Sequence, residues 1–339
     1  MPQALTGEAG FSGRIQGKIN DLQVQGRVTV PRASYQGVSL RQGRAEVEFK
    51  RHRLAVKRIY GQAANGTVTG DGTYDGKTHI FSAKLKVAQI QLAKIPYCPR
   101  SLQGVITGNI WLHGPLTISG IQAAVQGTVR NLTYKGVQIP YLQGNVQYTG
   151  GMLRVSSMQA HAGGGAVQLQ GTYDYNRRIP DFSFRIQGVQ PQFLSTRLPI
   201  AIRGIWNGKG AVYGPLWQWR LQFQAVKGAV QQRRFDTLTG ELQGDRHMIN
   251  IQQAQWRYHD GIHTAQGRVN VAAKTLNLSI HSNRVRLEDI AGNMVPRHMR
   301  VTGWAANDVL IRGQWTRPEA IGRIHLWDGS VQGLSLIHI

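Results

Sequence analysis

The chain has 339 residues, 41% of them hydrophobic, with 41 glycines and a single cysteine, Cys98. That length suits two or three ordinary domains or a few long repeats, and the apolar content excludes a disordered chain. One cysteine excludes an internal disulfide framework and a multi-cysteine zinc site, while 40 Lys and Arg against 17 Asp and Glu give +23, a field that attracts anionic partners.

Residues 1–20 read as the tail of a preceding repeat, and Met1 to Gly7 lacks the charged and apolar parts of a secretory signal. No run approaches the roughly 20 apolar residues of a membrane-spanning helix. From Gln23-Val24-Gln25-Gly26-Arg27-Val28 onward the apolar residues alternate with a period of two. Lys84-Leu85-Lys86-Val87, Phe182-Ser183-Phe184-Arg185-Ile186 and Leu276-Asn277-Leu278-Ser279-Ile280 keep that pattern later in the chain. Gly, Asn and Asp interrupt the runs at about the spacing of an all-β meander, and β-branched and aromatic residues dominate them. Helical periodicity is nearly absent. Only Pro191 to Leu198 and Leu287 to Met294 read as single helices or turns.

The chain also repeats itself. Gly72-Thr73-Tyr74-Asp75 returns as Gly171-Thr172-Tyr173-Asp174, and Gly267-Arg268-Val269-Asn270 holds the same place a third time. Tyr35-Gln36-Gly37-Val38 resembles Tyr134-Lys135-Gly136-Val137, and His113-Gly114-Pro115-Leu116 resembles Tyr213-Gly214-Pro215-Leu216. Several different motifs that keep one interval of about a hundred residues mark a repeated structural unit. The expected organisation is β repeats over residues 21–117, 118–217 and 218–316, with a further repeat beginning at 317–339. Leu334 to Ile339 also reads as the translation of a sequencing adapter.

No nucleophile–base–acid set, metal-binding helix or phosphate loop is present, so catalysis, a cofactor and a metal are not expected. His259-Asp260-Gly261-Ile262-His263 reads as a surface turn. Arg51-His52-Arg53, Arg177-Arg178 and Arg233-Arg234 fall at expected turns or strand ends, as solvated rims or as contacts to lipid phosphate. No nucleic-acid module is visible, and nucleic acid is not an expected partner.

A half-apolar antiparallel sheet must bury its apolar face, and no amphipathic helix is available to cover it. Either the sheet closes as a dry sandwich or barrel, or it leaves an apolar trough for a partner that is not protein. The Tyr-x-Gly-Val strand starts, the Gly-Thr-Tyr-Asp turns and the glycine-rich strands leading to Gly-Pro-Leu resemble the repetitive β region of the TamB family, related to AsmA-like envelope proteins. The resemblance implies an elongated array of antiparallel strands curled into a U-shaped apolar trough. It also implies a periplasmic protein of a diderm bacterium, anchored to the inner membrane through an N-terminal segment absent from this sequence. Its implied work is to carry phospholipid acyl chains and to support outer-membrane biogenesis and protein secretion, with an outer-membrane barrel of the BamA or TamA type as partner. On that reading the trough is lined by Leu85, Val87, Ile90 and Leu92, by Phe182, Phe184 and Ile186, and by Leu276, Leu278 and Ile280, at matching alternate positions in three repeats. The rival readings are a structural β-solenoid or adhesin-like protein with a dry core, and a parallel β-helix enzyme, which would need clustered carboxylates and far shorter coils.

Overall fold

A computed structural model of the chain describes residues 6–18, 22–35, 37–96, 98–99, 101–115, 117, 120–193, 201–230, 233–288, 301–331 and 334–336. Among these, nearly everything is strand, and every pairing is antiparallel between strands adjacent in sequence. The all-β expectation therefore holds. Proximity divides the strands into two units.

The first unit holds β1 (Thr6–Gln16), β2 (Gln23–Tyr35), β3 (Val38–Lys50), β4 (Arg53–Ala63), β5 (Gly66–Asp75), β6 (Ile80–Gln91), β7 (Leu102–Pro115), β8 (Gln122–Tyr134), β9 (Val137–Thr149), β10 (Met152–Ala162) and β11 (Gly165–Asp174). The second holds β12 (Ile179–Val189), β13 (Ile202–Tyr213), β14 (Gln218–Val230), β15 (Arg233–Gly244), β16 (Met248–Tyr258), β17 (Gly261–Asn270), β18 (Thr275–Arg286), β19 (Val301–Gln314), β20 (Arg317–Val331) and β21 (Leu334–Leu336). Each unit is an open meander whose first and last strands do not pair with one another among the described residues, so neither closes as a barrel. Single 3-10 turns follow β6 (Leu92–Lys94) and β12 (Pro191–Phe193). The remainder of Pro191–Leu198 and most of Leu287–Met294 lie outside the described residues, as do residues 1–5 and 337–339.

Strand lengths recur in order. From β2 to β7 they are 13, 13, 11, 10, 12 and 14 residues. From β8 to β13 they are 13, 13, 11, 10, 11 and 12. From β14 to β19 they are 13, 12, 11, 10, 12 and 14. The turns explain much of this regularity. Arg51-His52, Ala64-Asn65, Gly150-Gly151 and Gly163-Gly164 each place two successive residues at positive φ. That is the turn whose twist matches paired strands. The Gly-Thr-Tyr-Asp motif ends β5 and β11, and its Asp side chain caps the following turn. Asp75 Oδ1 accepts from the Lys77 and Thr78 N–H groups, and Asp174 Oδ1 from those of Asn176 and Arg177. After β17, Asn270 Oδ1 accepts the Ala273 N–H in the same way.

Bulges recur as well. The tenth residues of β6, β12 and β18 are Gln89, Gly188 and Arg284, at φ 58, 65 and 56°. Each sits where the register to the next strand shifts. An extra residue bends the strand and increases its twist. Buried apolar residues flank these places: Val87 and Ile90, Val189, and Val285.

Candidate functional site

In β12 and β18 burial follows the period-two pattern, with the apolar residues half-buried and the polar ones between them exposed, whereas β1 and the first ten residues of β20 are exposed on both faces. In β12, Phe182, Phe184 and Ile186 are half-buried while Asp181, Ser183, Arg185 and Gln187 are exposed. In β18, Leu276, Leu278 and Ile280 are half-buried, with Asn277, Ser279 and His281 exposed between them. Side chains of alternate residues point to one face, and cross-strand neighbours on that face touch.

Register joins the residues of β12 and β18 into three continuous rows. Phe184 faces Gly210, and the row continues through Leu221, Leu242, Ile251 and Gly267 to Leu278 and Ile311. The row from Phe182 passes Val212, Trp219, Gly244, Ile249 and Val269 to Leu276. The row from Ile186 passes Gly208, Phe223, Gly240, Ala254 and Ala265 to Ile280. Six residues chosen from two distant stretches thus stand on one face of the second unit. Leu221, Leu242 and Ile251 share it; their own alternation was visible, but the repeat anchors singled out only one strand per repeat.

The first unit is built alike. Leu85 continues into Ile110, Val125, Val146 and Val155. Val87 continues across Gly108, Gly127 and Gly144 to Met158. Ile90 stands three residues after Val87, against the alternation. The Gln89 bulge returns it to the same face, opposite Ile106, and the Gln89 N–H donates to Thr107 Oγ1 at 3.2 Å. Leu92 is placed differently from its partners: it lies in the 3-10 turn after β6 and joins no row.

Several of these side chains stand opposite glycine, and they fold over it. The Phe184 ring occupies the space a Cβ would take on Gly210, the Phe223 ring that on Gly240, and the Phe235 ring that on Gly228. Trp206 stacks on Phe223 at 5.4 Å between ring centroids and meets Phe235 edge-on at 6.4 Å. Such pairs fill the face from within its own sheet. They do not bury it. Among the described residues the only large side chain below 2% exposure is Pro180, whereas a closed sandwich would bury its Leu and Phe fully.

The arginine motifs fall at turns or strand ends, but the surface-turn reading holds only for His259: His263 stands two residues from Ala265 and so on the apolar face. Arg51 and His52 form the β3–β4 turn, Arg177 and Arg178 the β11–β12 turn, and Arg233-Arg234 opens β15, all of them exposed. His263 lies on β17, stacked at 4.7 Å on Trp256 with Nδ1 2.9 Å from Ser282 Oγ. His259 stands in the preceding turn against Tyr258. Among the described residues no group of three His, Cys, Asp or Glu could hold a metal ion.

Neither the curated proteins nor the solved structures contain a match to this chain. The family profile described as "TamB, N-terminal domain" matches residues 131–335, well over half of the chain. Repeated β-strands, an open antiparallel meander and that match agree: the chain belongs to the TamB family of cell-envelope proteins.

Proposed function

We propose that the apolar face carries phospholipid acyl chains between the inner and outer membranes, without covalent chemistry, in support of outer-membrane biogenesis and protein assembly or secretion. The observation that carries this reading is the set of three rows that join Phe182, Phe184 and Ile186 to Leu276, Leu278 and Ile280 on a face that, among the described residues, stays only half-buried. Water is an unfavourable neighbour for such a face, and each methylene it covers on an acyl chain contributes about 0.8 kcal/mol. In this reading residues 21–117, 118–217 and 218–316 are the repeat units, Leu85, Val87 and Ile90 line the corresponding face of the first unit, and Leu92 stands at its margin. The exposed arginines at the turns would meet head-group phosphates. Anchoring in the inner membrane and an outer-membrane barrel partner of the BamA or TamA type belong to the same proposal.

A photo-crosslinking residue placed at Leu278 is expected to give phospholipid adducts, and one at Asn277, on the opposite face, is not. Equal yields from both positions, or none from either, would refute the reading. The aromatic rings lying over glycines favour a second one, a structural β-array whose face is filled by its own side chains. That reading predicts no adduct at Leu278.

A further inference from the structure

The polar face of the first unit carries a groove of about 830 Å³ that crosses β4 to β9. It faces away from the rows proposed for lipid and is independent of that proposal. Two adjacent rows line it. One runs Ala55, Thr73, Ser82, His113, Gln122 and Thr149, one residue from each of six consecutive strands. Five consecutive hydrogen-bonding side chains therefore stand in line at the strand spacing, ~4.8 Å, over a length of about 19 Å. Ser82 Oγ and His113 Nδ1 are 2.7 Å apart, which holds the middle of that row in place.

The second row runs Asp71, Lys84, Trp111, Ala124 and Gln147. Trp111 sits at its centre, 37% exposed, against the small side chain of Ala124. An indole left this open on a polar face, beside a residue too small to cover it, is a flat platform. Lys84 lies beside it and Arg154 continues the row past Gln147, while Lys57, at the β4 end, is paired with Glu48 at 3.2 Å. Asp71 is the one acid among the lining residues, and its Oδ1 accepts the Arg58 N–H at 2.9 Å.

Each candidate ligand class meets these features differently. An acyl chain would offer no hydrogen bond to Thr73, Gln122 or Thr149, at a cost of about 1–3 kcal/mol for each polar group it buried. A nucleic-acid strand would call for successive aromatic platforms, and only one is present. A simple polyanion has no use for the indole. An extended sugar chain satisfies all three: its hydroxyls pair with the polar row at an advance per sugar close to the strand spacing, one ring stacks on Trp111, and acidic substituents reach the cations. We propose that this groove binds a linear acidic glycan.

Titration calorimetry on the full chain tests it, with a hexameric oligogalacturonate as probe, maltohexaose as the neutral control and inorganic polyphosphate as the charge control. The hexamer is expected to bind, Trp111→Ala to weaken it about tenfold and Trp111→Phe to keep most of the affinity. Lys84→Gln should weaken the acidic hexamer about threefold, and maltohexaose should bind more weakly than the hexamer. Oxidative footprinting of the unmutated chain gives a reading that no folding defect can disturb: the hexamer should protect Trp111. Failure of the hexamer to bind, an unchanged affinity in Trp111→Ala, or an unprotected Trp111 would overturn the proposal. So would polyphosphate binding as tightly with the same dependence on Trp111, or phosphatidylglycerol vesicles displacing the hexamer from that indole, which would make the groove a membrane contact.

Discussion

The recurring carboxylates at the turns are hydrogen-bond acceptors before they are charges. Asp75 is held below the usual carboxylate value of 3.8 chiefly by the Thr78 N–H and then that of Lys77, and Asp245 by those of His247 and Met248. Asp260 is lowered mainly by its hydrogen bond from Arg286, at 2.8 Å. A carboxylate depressed in the folded state stabilises that state above its unfolded pKa, and the contribution is lost as pH falls through the depressed value. Asp75→Asn and Asp245→Asn should therefore lower the urea midpoint at pH 7. The gap to the unmutated chain should close once the pH is well below 3.8, as denaturation series across pH would record. A glycine gives a second residue-scale prediction. Gly267 sits at φ 140°, and a Cβ there would run into the Asn277 carbonyl oxygen on the neighbouring strand. Gly267→Ala is expected to cost about 1–3 kcal/mol in equilibrium unfolding. The place of these residues was legible, because Gly-Thr-Tyr-Asp and its relatives recur in the sequence. Their work was not, since capping by Asp75 and crowding at Gly267 depend on which backbone groups come near.

Strands were the easiest element to foresee. Alternation of apolar and polar residues selects a pleated, half-buried strand whatever the tertiary context, and β12 follows it residue by residue. The bulges were hidden. Val87 and Ile90 are three apart, which in a regular strand would put them on opposite faces, and only pairing with β7 reveals that Gln89 absorbs the extra residue. Deleting Gln89 should remove the bulge and leave Ile90 two residues after Val87, on the apolar face and still opposite Ile106, as in a regular strand. The loss in chemical denaturation is therefore expected to stay below the ~1.5–3 kcal/mol that exposing a buried isoleucine costs. A deletion variant that loses that much would show that the bulge does more than absorb the extra residue. Leu92 marks the limit of pattern reading in the other direction. Alternation extends as far as Ile90-Gln91-Leu92, but the chain leaves β6 at Gln91, whose N–H bonds to the Ala64 carbonyl, and turns.

At the scale of the molecule, sequence periodicity and strand register make the same statement by different routes. Residues nearly a hundred apart, such as Phe184 and Leu278, share one row because an antiparallel meander with strands of repeating length carries one register forward. Such an array buries little by itself, and its apolar face is the feature of the fold that calls for a partner. The +23 charge is spread over the polar faces and turns, where it would draw the chain toward anionic surfaces rather than decide its fold. Native mass spectrometry of the chain purified from a bacterial periplasm tests the lipid reading most directly. The account predicts phospholipid adducts that survive Asn277→Asp and disappear when Leu242 and Leu278 are both changed to Asp, with the β-sheet circular dichroism retained. Folded protein that stays free of lipid after incubation with phospholipid vesicles, or adducts indifferent to the paired substitution, would contradict it.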